Sequence, residues 1–159
     1  MGVFTFEDEH VSAVPTARLY NALLKHSHTI LPKVIPDIKN VELVEGTGGP
    51  GSVIKVSSVD EGGNPRYGLH KVEVVDEASY VYNYSIVEGN ILMEPVEKIS
   101  FETKIVEGSA GGSVIKVVIK YHTKGDASPP EEMLKIAKEK GGHLFKSLEG
   151  YIAANPDLC

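Results

Sequence analysis

The chain has no tryptophan and a single cysteine, Cys159, the last of its 159 residues. An intrachain disulfide is therefore excluded. No apolar run approaches the 18 or so residues that a membrane span needs. The first residues, Met1-Gly-Val-Phe-Thr-Phe-Glu7, carry neither the basic nor the apolar region of a signal peptide. Phe6 stands where a myristoylation pattern has serine or threonine. Together these absences favour a reducing compartment, expected to be cytoplasmic, with the nucleus left open. Positive charge is scarce as well. Against 22 Asp and Glu there are 16 Lys and Arg, a net charge of −6, so no nucleic-acid partner is expected unless a local basic stripe exists. Catalytic signatures are missing too: there is no Gly-x-Ser-x-Gly, no His-Glu-x-x-His and no cysteine pair.

What is present is enough for one domain, residues 1–159, with a sizeable core. Val3 to Val11 alternates as a strand, with Phe4 and Phe6 on one face. Pro15 to Lys25 has helical spacing through Ala17, Leu19, Tyr20, Leu23 and Leu24. Thr29 to Lys39 is cut by Pro32 and Pro36, which predicts a short helix with an irregular exit. From Val41 to Tyr121 the period changes to two. Turns at Gly46–Gly51, Glu61–Pro65, Asp76–Ala78, Gly89-Asn90 and Gly108–Gly112 separate strands near 41–45, 53–59, 66–75, 79–87, 96–106 and 113–121. In the last two, Ile99, Phe101, Thr103 and Ile105, and then Ile115, Val117, Ile119 and Tyr121, each share a face. One side of the sheet is therefore buried and the other wet.

Pro129 to Ala154 reads as one long amphipathic helix, roughly 35–40 Å in length. Ser128-Pro-Pro-Glu131 supplies a start signal with serine as N-cap and glutamate reaching back, and Asn155-Pro156 a stop. Gly141 and Gly142 sit in the middle, each costing about 1 kcal/mol relative to alanine. They are either a tolerated weakness or the sign of a void beneath the helix. The fold class is thus α+β: a curved seven-stranded antiparallel sheet, two short helices after its first strand, and a long C-terminal helix gripped by the sheet.

Such a grip encloses a volume. Inward candidates are Ile54, Val56 and Ser58 on one side, with Tyr80, Tyr82, Tyr84 and Tyr67 on the other. Tyrosines pack ordinary strands as well, but apolar walls with a few hydroxyls also suit a small-molecule pocket. His70, in the strand of Tyr67 and Leu69, is the best polar group for such a pocket, although alternation also allows it to face outward. The glycine-rich loop Glu45-Gly-Thr-Gly-Gly-Pro-Gly-Ser52 invites a phosphate-binding reading. That reading fails, because a strand rather than a helix follows and Lys55 faces away from Ile54 and Val56. The histidines suggest no metal: His26 and His28 diverge on a short helical piece, and His10, His122 and His143 look solvent-side. No cofactor is expected.

At the glycine-rich loop the chain resembles the plant intracellular pathogenesis-related proteins of class 10, the family of the major birch-pollen allergen. Met1-Gly-Val-Phe-Thr-Phe-Glu, Glu45-Gly-Thr-Gly-Gly-Pro-Gly, Glu97-Lys-Ile-Ser, Lys120-Tyr-His-Thr-Lys-Gly-Asp126 and Glu149-Gly-Tyr-Ile-Ala-Ala-Asn-Pro156 match in order, over the whole chain. The resemblance implies a helix-grip fold around a large apolar cavity. It also implies roles in plant defence and stress, allergenicity in several members, and binding or storage of cytokinin-, flavonoid- or steroid-like ligands. Relatives often place a lysine where this chain has Ile54, so acidic ligands should be disfavoured here. Ser58 stands where they often have a large apolar side chain, so the cavity should be wider there.

The expected partner is a small hydrophobic plant metabolite or hormone, bound by a monomer, with a weak dimer as the alternative. The ligand would lie under Leu134, Ala137, Gly141 and Phe145. Val56, Tyr82, Tyr84, Ile99 and Phe101 would face it, and His70 and the tyrosine hydroxyls would orient it. Leu31, Ile38, Ile54, Ser58, Tyr67, Leu69 and Val117 complete the expected lining, and ligand would enter either near the loop of Gly46, Gly48, Gly49 and Gly51 or between the last helix and the first helices. No catalytic residue is assigned. The family resemblance attaches a ribonuclease alternative to Glu97, Glu149 and Tyr151, yet Glu149 and Tyr151 point to nearly opposite sides of a helix. Alternation puts Glu97 with Ile99 and Phe101, but its place at the strand's start favours solvent or the glycine-rich loop. A third reading is ligand-gated binding of a protein partner such as a phosphatase.

Overall fold

Period-two alternation between residues 38 and 123 builds most of the molecule, and the alternation fixes which face is covered. The computed structural model describes residues 2–24, 27–60 and 62–155, and of Ser27 and His28 the backbone alone. The sequence readings of His26, Glu61, Pro156 and Cys159, and of the His28 side chain, lie outside the described residues. The chain runs β1 (Gly2–Ser12), α1 (Thr16–Leu24), α2 (Ser27–Val34), β2 (Ile38–Glu45), β3 (Val53–Val59), β4 (Pro65–Asp76), β5 (Val81–Glu88), β6 (Val96–Glu107), β7 (Ser113–Thr123) and α3 (Glu131–Ala154). The strands form one seven-stranded sheet in the order β1-β7-β6-β5-β4-β3-β2, with every pairing antiparallel.

Several boundaries differ from the sequence reading, for physical reasons. α2 starts at Ser27, so Pro32 falls inside it rather than ending it, and Ile38 is already strand because it pairs with Ser58. At the start of α3 the N-cap is Pro130, with no side-chain capping bond. The predicted Ser128–Glu131 box is not formed. Instead Glu131 and Glu132 place negative charge in the first turn, which favours the helix dipole. The other end is closed from outside: the Arg18 guanidinium donates to the Ile152 and Asn155 carbonyls, and Asn155 donates back to Tyr151.

α3 is fastened mainly at its two ends. Toward its C-terminus Leu148 and Ile152, 1% and 0% exposed, pack with Leu19, Tyr20 and Ala22 of α1, Ile30 of α2, and Ile105, Ile115 and Val117 of the sheet. Toward its N-terminus Met133 packs with Ile86, Val96, Ile99 and Tyr121. Between them Ile136, Ala137, Gly141, Leu144 and Phe145 are only half-buried. The helix runs close to β1, α1 and α2, and over the intervening strands the concave face of the sheet is lined by half-buried side chains. No described helix is long and apolar enough to cross a membrane.

Candidate functional site

Register identifies the concave face. Ile54 pairs with His70, Val56 with Gly68, His70 with Ile86, Val72 with Tyr84, Tyr84 with Phe101 and Phe101 with Ile119, so these side chains project together toward α3. In a filled core they would be buried. Yet Ile54, Val56, His70, Tyr82, Tyr84 and Phe101 all retain surface. A void of about 540 Å³ opens at the β2–β5 end of this face, lined by Leu24, Val41, Leu43, Thr47, Gly48, Gly49, Ile54, Val75, Glu77 and Tyr82; His70 and Tyr84 adjoin it through Ile54 and Tyr82.

Three rings form a ladder across β4, β5 and β6. His70 stacks on Tyr84 with centroids 5.1 Å apart, and Tyr84 stacks on Phe101 at 4.9 Å. Tyr82 meets Tyr84 edge-on at 5.5 Å. Stacking covers ring faces, so the edges, which carry the polar atoms, are what a neighbour in the void would meet. Burial lowers the His70 pKa to about 4 and raises that of Tyr82 to about 12; it pushes Tyr84 higher still. At neutral pH all three are uncharged.

None of these three side chains makes a hydrogen bond to the protein among the described residues. Outward-facing polar groups on the same strands behave differently. Ser85 donates to Glu73 at 2.5 Å, Ser85 and Ser100 lie 3.0 Å apart, Ser100 is 3.3 Å from His122, and Lys120 pairs with Glu102 at 2.7 Å. Asn83 Oδ1 is the exception, buried without a partner. In the filled end Tyr20 also finds a partner, donating to the Val81 carbonyl at 2.9 Å. The polar edges of His70, Tyr82 and Tyr84 thus keep some surface and have no protein partner among the described residues.

The glycine-rich loop is folded by its own serine. Buried Ser52 accepts the Gly48 N–H on its hydroxyl at 2.8 Å, the Gly51 N–H goes to the Val72 carbonyl and the Ser52 N–H to Gly49. These amides are spent within the protein and cannot cradle a phosphate. Gly46 has φ +86°, and a Cβ there would stand 2.8 Å from the Ser52 Cα, so the turn admits only glycine.

A family model described as the Pathogenesis-related protein Bet v 1 family matches residues 1–155. The chain belongs to this family. It is 55% identical over 157 residues to "Class-10 pathogenesis-related protein 1" of Medicago truncatula, covering 99% of each chain. It is 53% identical, over the same shares, to "ABA-responsive protein ABR18" of Pisum sativum. Among solved structures it is similar to "Crystal structure of Ara h 8.0201", with 46% identity, TM-score 0.88, and 96% and 99% of the two chains covered. The two curated relatives are thus named as a pathogenesis-related and an ABA-responsive protein.

Within this Bet v 1 fold the sequence-predicted lining separates into groups. Ile54, Val56, Ser58, His70, Tyr82, Tyr84 and Phe101 share the concave face, and Gly48 and Gly49 reach the margin of the void. Gly46 and Gly51 shape the loop without lining it. Ile99 and Val117 belong to the packed clusters at the two ends of α3, and Leu134, Tyr82, Tyr84 and Phe101 pack against them. Tyr67 and Leu69 are corrected outright. They pair with Ser57 and Lys55 and lie on the convex face, where the Lys55 ammonium sits 5.4 Å from the Tyr67 ring centre. His70 faces inward, and because the pairing with β3 runs without a shift from Tyr67 to His70, Tyr67 and Leu69, an odd number of residues away, face the other side. Tyr80 has φ +54° and sits in the turn before β5, its ring against Tyr20. Leu31, Ile38 and Ala137 are half-buried.

Gly141 and Phe145 lie at the seam between α3 and β1. There His10 is not solvent-side as its sequence suggested. It faces inward opposite Ile115, contacts Asp8 at 3.2 Å and lies against Phe145 at 4.8 Å. The ribonuclease candidates are not brought together. Glu97 sits exposed at a bulge between Val96 and Lys98, near Lys124. Glu149, about 24 Å further along α3 than Met133, accepts the Ala13 N–H at 3.1 Å, and Tyr151 packs into the cluster around Leu148. Among the described residues no three His, Cys, Asp or Glu are placed to hold a metal.

Sequence reasoning missed Leu24, Val41, Leu43 and Val75. Val41 and Leu43 pair with Val56 and Ile54, so extending the alternation of β3 to its neighbour would have found them. Val75 carried no such signal. A register shift between Val72 and Val74 reverses the phase of β4, exposing Val74 and turning Val75 toward Tyr82.

Proposed function

We propose that this protein binds a small hydrophobic ligand in the void bounded by the end of α1, the glycine-rich loop and strands β2 to β5, as a cytoplasmic plant carrier or receptor acting in defence and stress. The observation that carries this reading is an apolar void lined by Val41, Leu43, Ile54, Val75 and Tyr82, with the unpaired polar edges of His70 and Tyr84 beside Ile54 and Tyr82. An apolar cavity of several hundred Å³ with a few convergent polar groups is the form that small-molecule sites take. Neutral rings with N–H and O–H edges suit planar ligands with polar rims, of the cytokinin or flavonoid kind, and a steroid-like body would use the aliphatic wall. Passage is by the side of the glycine-rich loop, where Gly48 and Gly49 adjoin Leu43.

The test is displacement. An environment-sensitive apolar dye is titrated into the protein and competed off with an adenine-type cytokinin and a flavonoid. Micromolar binding at one or two sites, weakened roughly tenfold for the competitor by Tyr84→Phe while the dye is held, is the expected result; a hydrogen bond inside a protein is worth about that much. A folded protein that takes up no dye would mean a filled interior and end this reading.

A further inference from the structure

His70 is the basic side chain on the concave face of β3, β4 and β5 that is not already engaged. Arg66 shares that face, but its guanidinium is held by Asp60 at 3.1 Å and lies near the Asn90 carbonyl. Lys55 is turned to the convex side over Tyr67. Around His70 the neighbouring elements offer no fixed charge: Ile54 and Val56 from β3, Tyr84 and Ile86 from β5, Gly68 and Val72 on its own strand, and Ile91 from the turn after β5. The titratable groups facing it are the hydroxyls of Tyr84 and, beyond, Tyr82, both held protonated by burial. One ring face lies on Tyr84, and neither nitrogen has a protein partner among the described residues.

A carboxylate entering such a wall would be stranded without a counter-charge, and a stranded charge in an apolar interior is costly. One group can supply that charge on demand. We propose that an aromatic weak acid binds in this cavity as its anion together with one proton taken up by His70, whereas an uncharged aromatic ligand binds with His70 neutral. The inference rests on the cavity reading above and adds to it a ligand class and a dependence on pH. The balance is simple: ligand carboxylate plus a proton from water plus neutral imidazole gives a carboxylate–imidazolium pair. The empty site resists protonation because burial disfavours the cation. An adjacent carboxylate reverses that preference. Above the pKa of the free acid, affinity for the acid therefore falls about tenfold per pH unit, until the pKa of the bound pair is reached. Affinity for a neutral analogue does not change.

Two probes of one shape separate the cases: 2-naphthoate and 2-naphthamide, titrated into the full chain between pH 5.5 and 7.5. The imidazole nitrogens are followed by NMR in protein labelled at histidine, with the His70 signal assigned by its loss in His70→Gln. Naphthoate should move the His70 signals to those of an imidazolium at pH 6 and bind about a hundredfold more weakly at pH 7.5 than at pH 5.5. Naphthamide should leave them neutral and bind equally at both. His70→Gln should lose most of the naphthoate affinity at pH 6 and abolish the proton uptake that accompanies naphthoate binding. If naphthoate binds while His70 stays neutral, the acid enters as an uncharged molecule and this inference alone is overturned. If neither probe binds and the apolar dye is also refused, the inference falls together with the cavity reading.

Discussion

The two ends of α3 and its middle are built from the same kinds of residue to different purposes. At the C-terminal end Leu148 and Ile152 meet Leu19, Ile30 and Ile115, all essentially without exposed surface. That end is a conventional close-packed core, and the Tyr20 hydroxyl in it has its hydrogen bond. In the middle, the half-buried helix residues include two adjacent glycines, and on the concave sheet Ile54, Val56, His70, Tyr82 and Tyr84 are none of them fully buried, the polar ones unpaired. The ends hold the helix in place, and the middle is left available. A small domain can carry an unfilled interior only if the packing elsewhere supplies the stability, and here it is concentrated where α1, α2 and α3 converge.

The contrast can be broken at either region. The largest effect belongs to the packed end: Leu148→Ala should cost about 3–4 kcal/mol in urea unfolding, because it removes buried atoms and leaves a cavity that close packing cannot refill. Next comes the middle of the sheet, through pH. His70 is held neutral in the folded protein with a pKa of about 4 against 6.5 for an ordinary histidine. The unfolded chain therefore binds the extra proton as pH falls below 6.5, and stability should decline by about 3 kcal/mol between pH 6.5 and 4. His70→Gln should flatten that part of the stability curve, and a curve unchanged by the substitution would place the ring in water. A smaller effect of opposite sign is expected on the helix. Nothing lies within 4 Å of a Cβ built at Gly142, so Gly142→Ala should raise stability by about 1 kcal/mol from helix propensity alone. The smallest is a matched pair. Ile152→Val at the packed end should cost about 1 kcal/mol, and Ile54→Val beside the void about half of that or less, since no close contact is lost there.

Much of this was legible beforehand. The period-two strands, the turn residues, the long last helix and the resemblance to class-10 proteins led to the seven-stranded grip. What stayed hidden was the phase of individual strands. The register shift between Val72 and Val74 turns Val75 inward, and the one beside Glu97 puts that carboxylate in solvent. Neither has a residue signature that alternation could detect. Tyr67 was assigned to the wall on chemical grounds, as an aromatic with a hydroxyl, although its odd spacing from His70 puts it on the other face where the strand runs without a shift. His10 misled in the opposite way, because a histidine among acidic residues on β1 reads as surface, while the strand's pairing with β7 sends it beneath α3 against Phe145.

The central claim is that the void lined by Val41, Leu43, Ile54, Val75 and Tyr82 is open and usable, and Ile54→Trp tests it most directly. The chain has no tryptophan of its own, so the new indole reports its surroundings without interference. The account predicts a folded protein whose tryptophan emission is that of an apolar site, whose stability lies within about 1.5 kcal/mol of the parent, and which no longer takes up the apolar dye because the void is occupied. A variant that loses several kcal/mol, as an overpacked core would, or that binds the dye as well as the parent does, would contradict it.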